Sequence, residues 1–253
     1  MKEFLKRVLP NFILTPIYLA RSYNVVRGKL TYRQDGLFTT HTTHFLSDAK
    51  FVEAYELGRR AGIFQASRIH YRAYIACWAA FKGRALEGDY VECGVYRGAL
   101  SRMVMHYVDF ARMPDKRFYL LDTFAGIPER SISEEERQRG RRAGIFEESF
   151  EDVKQTFRDF PNVVIVRGTI PDTLSQVHVK KVCYLSLDMN AAAPEIAAAE
   201  YFWPKMSSGA VVVLDDYGFT YHEVQRRMFD EFAARQGVKV LPLPTGQGLI
   251  FKP

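Results

Sequence analysis

The sequence predicts an α/β fold: a mostly parallel sheet with helices on both faces, an antiparallel last strand, and an N-terminal helical extension. Three observations carry this. Near-continuous apolar runs at 90–93, 117–122, 163–166, 182–188 and 210–214 alternate with helical patterns, as strands buried on both faces do. Four of these runs end in or beside an acid. The first opens into a glycine turn, GDYVECGVYRGALS, over residues 88–101.

At 253 residues and 47% hydrophobic content the chain can bury a sizeable core, so disorder is excluded as the default. A net charge of +6 raises the question of nucleic acid. Much of that excess sits near the N-terminus and in 137–142, and no zinc-finger spacing or RNA-binding signature accompanies it. No nucleic-acid partner is expected. Cys77, Cys93 and Cys183 are far apart in apolar runs and form no CxxC pair, which reads as buried reduced thiols in a cytoplasmic protein.

In chain order, a basic start (Lys2, Lys6, Arg7) precedes an apolar run at 12–20, with Pro10 and Pro16 breaking the segment. A spanning helix needs about 20 apolar residues, so no transmembrane span is expected. The segment reads as a helical arm packing on the domain or on a partner subunit, with peripheral membrane contact through residues 1–24 as the alternative. Residues 1–85 are expected to form this arm and a cap, and residues 86–253 the ligand-binding domain, with a lid-like insertion at 123–147. Residues 30–60 read as short helices and a loop. Over 69–86, Tyr71, Tyr74, Ile75, Trp78 and Phe81 recur at helical spacing and read as a core face.

Strand 90–93 leads to a helix over 99–111 and strand 117–122. A charged insertion, 129–142, follows; Ser133 with Glu136 fits a capping box, so a short helix is expected there. The insertion is either a solvated loop or a lid over a site. Next come a helix over 150–160, strands 163–166 and 182–188, and a helix over 194–203 with Pro194 in its first turn. Strand 210–214 and a helix over 223–235 follow. Strands 238–243 and 249–251 are joined by only 244–248, too short for a crossover, so they run antiparallel.

The acids are Glu92, Asp122, Asp188 and the pair Asp215–Asp216. Carboxyl ends of strands in an open α/β sheet border its ligand crevice. Asp122, ending the second strand, suits ribose hydroxyls. The first turn is Gly94-x-x-x-Gly98 rather than GxGxxG, and Glu92 beside it would repel a pyrophosphate. A cationic ligand without phosphate fits better, and S-adenosylmethionine is such a ligand. Asp188, Asp215 and Asp216 offer hard oxygen ligands for Mg²⁺ or a similar cation; the alternative is that one caps a helix and the others are solvated.

GDYVECGVYRGALS, LLDTFAGIP, YLSLDMN and AVVVLDDYG together resemble the macrocin O-methyltransferase family over residues 86–251. The resemblance implies a Rossmann-like class I methyltransferase sheet and S-adenosylmethionine-dependent, Mg²⁺-assisted methylation of a sugar hydroxyl. It implies that Glu92, Gly94 and Ser101 line the methionine end of the cofactor and Asp122 its ribose, with Tyr96, Gly98, Thr123 and Phe124 completing the cofactor set. Asp188, Asp215 and Asp216 would hold the metal, with Asp188 also in the catalytic set.

One position departs from the family: Asn190 stands where its members carry a second aspartate, the proposed general base, and an amide cannot take a proton from a hydroxyl. His222 is then the expected base, since imidazole titrates near neutrality. The alternatives are activation by the metal alone, or a chain that binds cofactor without catalysing this transfer. The acceptor is expected to be a small molecule or glycan. A catechol-type acceptor and a non-catalytic subunit of a glycan or natural-product assembly are the other readings. A homo-oligomer is expected.

Overall fold

The computed structural model describes residues 28–62 and 68–253, so the expected arm at 1–24 lies outside the described residues. The chain divides into two compact units, Met1–Thr43 and His44–Pro253. In the first, β1 (Tyr32–Gln34) and β2 (Leu37–Thr39) pair antiparallel around Asp35 and Gly36, both at positive φ. The expected helices and loop over 30–60 therefore need correction. Asp-Gly is a strong two-residue hairpin signal, and here it decides the local structure.

In the second unit, α1 (Ala49–Ala61) starts where the Asp48 carboxylate accepts the N–H groups of Lys50 and Phe51. It is followed by α2 (His70–Gly83). The sheet contains β3 (Asp89–Cys93), β4 (Phe118–Asp122), β5 (Val163–Arg167), β6 (Val182–Leu187), β7 (Met206–Leu214), β8 (Leu241–Pro242) and β9 (Gly248–Phe251). Its spatial order is β5-β4-β3-β6-β7-β9-β8. The strands from β5 to β7 pair in parallel, whereas β9 is antiparallel to both β7 and β8. Strand order reverses between β3 and β6, so the crevice opens at their carboxyl ends.

Helices α3 (Ala99–Tyr107), α4 (Glu134–Gln138), α5 (Phe150–Phe157), α6 (Ala192–Phe202) and α7 (Glu223–Arg235) complete the fold. Alternate strand residues feed two cores. Tyr90, Leu120, Tyr184 and Val211 face α1, α2, α3 and α5. Val91, Leu121, Leu185 and Val212 face α6 and α7. Full burial of each such aliphatic side chain contributes about 1.5–3 kcal/mol.

The helical spacing in α2 is right, and Tyr71, Tyr74 and Ile75 pack half-buried against the core as expected, but Trp78 and Phe81 do not. Ala73, Ala76, Cys77 and Ala80 are buried, whereas Trp78 and Phe81 are 37% and 47% exposed. The helix lies close against the sheet: a Cβ on Gly83 would sit 2.7 Å from the carbonyl oxygen of Cys183. Only small residues fit there. Other differences are at element ends: the helix expected to reach 111 stops at Tyr107, and the strand expected over 238–243 shrinks to β8. Cys77, Cys93 and Cys183 are buried free thiols. Among the described residues no helix is long and apolar enough to cross a membrane.

Candidate active site

The turn after β3 is built from left-handed residues: Gly94, Tyr96 and Gly98 have φ of 90°, 49° and 80°. This winding turns the N–H groups of Val95 and Tyr96 toward Asp122, at the end of β4. Asp122 Oδ2 accepts from Tyr96 N at 2.8 Å and also from Val95 N, while Oδ1 accepts from Phe124 N at 2.7 Å. Thr123 Oγ1 lies 3.3 Å from Oδ1, but its single proton is better placed for the carbonyl oxygen of Gly126 at 2.7 Å. Of about four lone-pair sites on the carboxylate, one therefore stays open for a sugar hydroxyl.

Glu92 is buried within β3, and its Oε2 has no hydrogen-bond partner. Burial pushes the Glu92 carboxyl up to about 8; the neighbouring Ser101 hydroxyl opposes the shift, and Asp122 and Asp215 add to it. Buried polar atoms are nearly always paired, so this orphan suits a ligand that brings a donor. An ammonium is one.

The second group of acids lies beside the first, on the neighbouring strands of the same sheet edge. One carboxylate oxygen from each of Asp188, Asp215 and Asp216 lies within 4.8 Å of the others. Asp188 follows β6 and the other two follow β7, and these strands are parallel neighbours. Burial, then Asp215 and Asp216, hold the Asp188 carboxyl well above the usual range; burial and Asp215 act likewise on Asp216. Asp216 Oδ2 has no hydrogen-bond partner. Three hard oxygens sharing one small volume, one of them unpartnered, form a donor set that a divalent cation fits.

Side chains from elsewhere hold this cluster. Arg72 donates from Nη1 to Asp215 Oδ2 at 2.6 Å, and Gln247 from Nε2 to Oδ1 at 2.9 Å. Asn190 (φ 57°) donates from Nδ2 to Asp188 Oδ1 at 3.0 Å. Its loop is pinned by buried Glu195, whose Oε1 accepts from Met189 N, Asn190 N and Gln225 Nε2.

The capping box in the insertion forms: Ser133 and Glu136 bond reciprocally at the start of α4. Glu136 does more, accepting the N–H of Ala192 on Oε1 at 2.8 Å and so tying the insertion to the start of α6. Arg141 then reaches Asn190 Oδ1 at 3.3 Å and His222 Nδ1 at 3.0 Å, and also approaches His222 Nε2. His222 Nδ1 lies 3.5 Å from Asp216 Oδ2. Burial, then the charge of Arg141, pull the imidazole down to about 4.

Both groups of acids face one cavity of about 320 Å³. Of the residues expected from sequence, Glu92, Gly94, Tyr96, Asp122, Thr123, Phe124, Asp188, Asp215 and Asp216 line it. Gly98, Ser101 and His222 do not line it. Sequence reasoning missed Arg72, Arg141, Glu195 and Gln247. No motif marks them; each arrives through packing between distant elements.

Comparison with known proteins identifies the family and the fold. The macrocin-O-methyltransferase (TylF) family profile matches residues 69–243, more than half of the chain. The demethyldecarbamoylnovobiocin O-methyltransferase of Streptomyces niveus is 26% identical over 143 residues, covering 53% of this chain and 55% of that protein. A second relative, from Streptomyces olivaceus, is a tetracenomycin-C-type rhamnosyl 4'-O-methyltransferase, 25% identical over 159 residues and 60% of each chain. The matched segment thus spans under two thirds of the length of these curated relatives. The fold is similar to that of the O-methyltransferase NovP, with TM-score 0.64 and 22% identity over 79% of this chain and 87% of that one. A calicheamicin methyltransferase is similar with TM-score 0.55 and 14% identity, over 90% of this chain and 99% of the other. The sheet is that of class I methyltransferases, and the chain belongs to the macrocin O-methyltransferase family.

Proposed function

We propose that this chain is an S-adenosylmethionine-dependent, cation-assisted O-methyltransferase acting on a hydroxyl of a sugar or a glycosylated natural product. The observation that carries this is the single cavity faced by the glycine turn, Asp122 and the three clustered aspartates. The relatives, named for O-methylation of demethyldecarbamoylnovobiocin and of a rhamnosyl-tetracenomycin C, support the acceptor class.

In this reading S-adenosylmethionine supplies an electrophilic methyl group on a sulfonium. A divalent cation supplies Lewis acidity at the acceptor oxygen. The chain does the rest. Asp122, pre-oriented by the amides of Val95, Tyr96 and Phe124, receives the ribose. Glu92, buried and lining the cavity, receives the cofactor's ammonium with Ser101 supporting it from behind, and that charge favours the ionised form of Glu92. Asp188, Asp215 and Asp216 would hold the cation. Catalysis is then mainly positioning and electrostatics.

The acceptor proton has no carboxylate waiting at Asn190, which is engaged with Asp188 and Arg141. His222 is neutral at pH 7 and can pass a proton on, but with its ring pulled down to about 4 it holds one weakly. A cation held by Asp188, Asp215 and Asp216 would supply the remaining acidification of the hydroxyl. The test is methyl transfer from labelled S-adenosylmethionine to a panel of glycosides, with Mg²⁺ and with chelator. Turnover on glycosides that the chelator abolishes is expected; turnover on catechols alone, or none on any acceptor, would contradict the reading.

A further inference from the structure

Asp215 is gripped from outside the strand motifs. Arg72, on α2, places Nη1 2.6 Å from Asp215 Oδ2, and the two side chains are 19% and 7% exposed. Gln247 donates from Nε2 to Asp215 Oδ1 at 2.9 Å and to the carbonyl oxygen of Arg72 at 3.4 Å. The guanidinium also sits over the ring of Phe219, 5.2 Å from its centroid. It is held in place on several sides, and it keeps its charge at any pH the fold survives.

Arg72 lines the same cavity as Asp188, Asp215 and Asp216. Three carboxylates this close repel one another, and a permanent cation against one of them offsets that repulsion while no metal is present. Once a divalent ion joins the cluster, two cations address one carboxylate and repel each other through a poorly screened interior.

We infer that Arg72 is an internal counter-cation for the acid cluster, stabilising it without metal and lowering its affinity for a divalent ion. Gln247, being neutral, orients Asp215 without this opposition. The inference rests on the cation-assisted reading above.

Calorimetric titration of the full chain with Mn²⁺, without cofactor or acceptor, tests it alongside thermal melting. Arg72→Gln keeps a donor near Asp215 and removes the charge, Arg72→Lys keeps the charge, and Gln247→Leu removes only the orienting bond. Arg72→Gln is expected to bind Mn²⁺ about tenfold tighter than the unaltered chain or better. Its metal-free melting temperature should fall, and saturating Mn²⁺ should raise that temperature by more than it does in the unaltered chain. Arg72→Lys should stay within about threefold of the unaltered chain, and Gln247→Leu should bind more weakly. A purely structural arginine would not give opposite signs for metal affinity and metal-free stability. Equal or weaker Mn²⁺ binding by Arg72→Gln, with the unaltered chain still binding, overturns the inference. No Mn²⁺ binding by either chain overturns the cation-assisted reading itself, and the inference with it.

Discussion

A Cβ placed on Gly94 would lie 1.9 Å from the carbonyl oxygen of Asp188, so the turn after β3 and the first acid of the cluster are in direct backbone contact. Gly94 also sits at φ 90°, which side chains disfavour. The glycine turn and the acid cluster thus share one wall. Gly94→Ala should cost roughly 1–3 kcal/mol or more through strain and clash. It should weaken binding of S-adenosylhomocysteine and of Mn²⁺ together, read by calorimetry on the folded variant. Loss of one with the other intact would show the two halves to be independent.

Glu136 links the insertion to the body of the domain by accepting the N–H of Ala192. Removing a buried acceptor leaves its donors unsatisfied, at about 1–3 kcal/mol. Glu136→Ala should therefore loosen the insertion locally, and trypsin should cut among Arg137, Arg139, Arg141 and Arg142 at least about tenfold faster. An unchanged cleavage rate would mean that other contacts hold the segment.

Burial raises the Glu92 carboxyl to about 8, so between its unfolded value and about 8 the folded chain binds the extra proton. Stability from this group is full below the unfolded pKa and is lost as pH rises through the folded one. Denaturant unfolding of the cofactor-free chain from pH 5.5 to 8 should show an added downward slope of up to roughly 1.4 kcal/mol per pH unit, absent in Glu92→Gln. Identical slopes in the two chains would place Glu92 in a wetter environment than the fold suggests.

His222 faces Arg141 and Asp216 and is pulled down to about 4. A general base contributes about 10²–10⁴-fold to rate. Here His222→Asn should lower kcat by less than about tenfold with KM for the cofactor unchanged. A loss of about 100-fold or more would make it the principal proton acceptor.

Much of this architecture was legible in the sequence because it is local. Apolar runs marked the strands, spacing marked α7 at its observed ends, and Ser133 with Glu136 marked the start of α4. The three aspartates were legible for a topological reason: strands that are neighbours in a parallel sheet bring their ends together. Long-range relations were not. Arg72 meets Asp215 across 143 positions and Arg141 meets His222 across 81, and no spacing rule encodes either. On α2, Trp78 and Phe81 depart from the expected core face because periodicity marks a helix but not the side that must approach the sheet closely. Close approach selects alanine over tryptophan there.

The central claim is that the crevice holds S-adenosylmethionine with Asp122 on its ribose. Calorimetric titration of the purified chain with S-adenosylhomocysteine, beside Asp122→Ala, tests it most directly. One site per chain is expected, weakened by about tenfold or more in the variant. No binding to the unaltered chain, or equal binding to both, would contradict it.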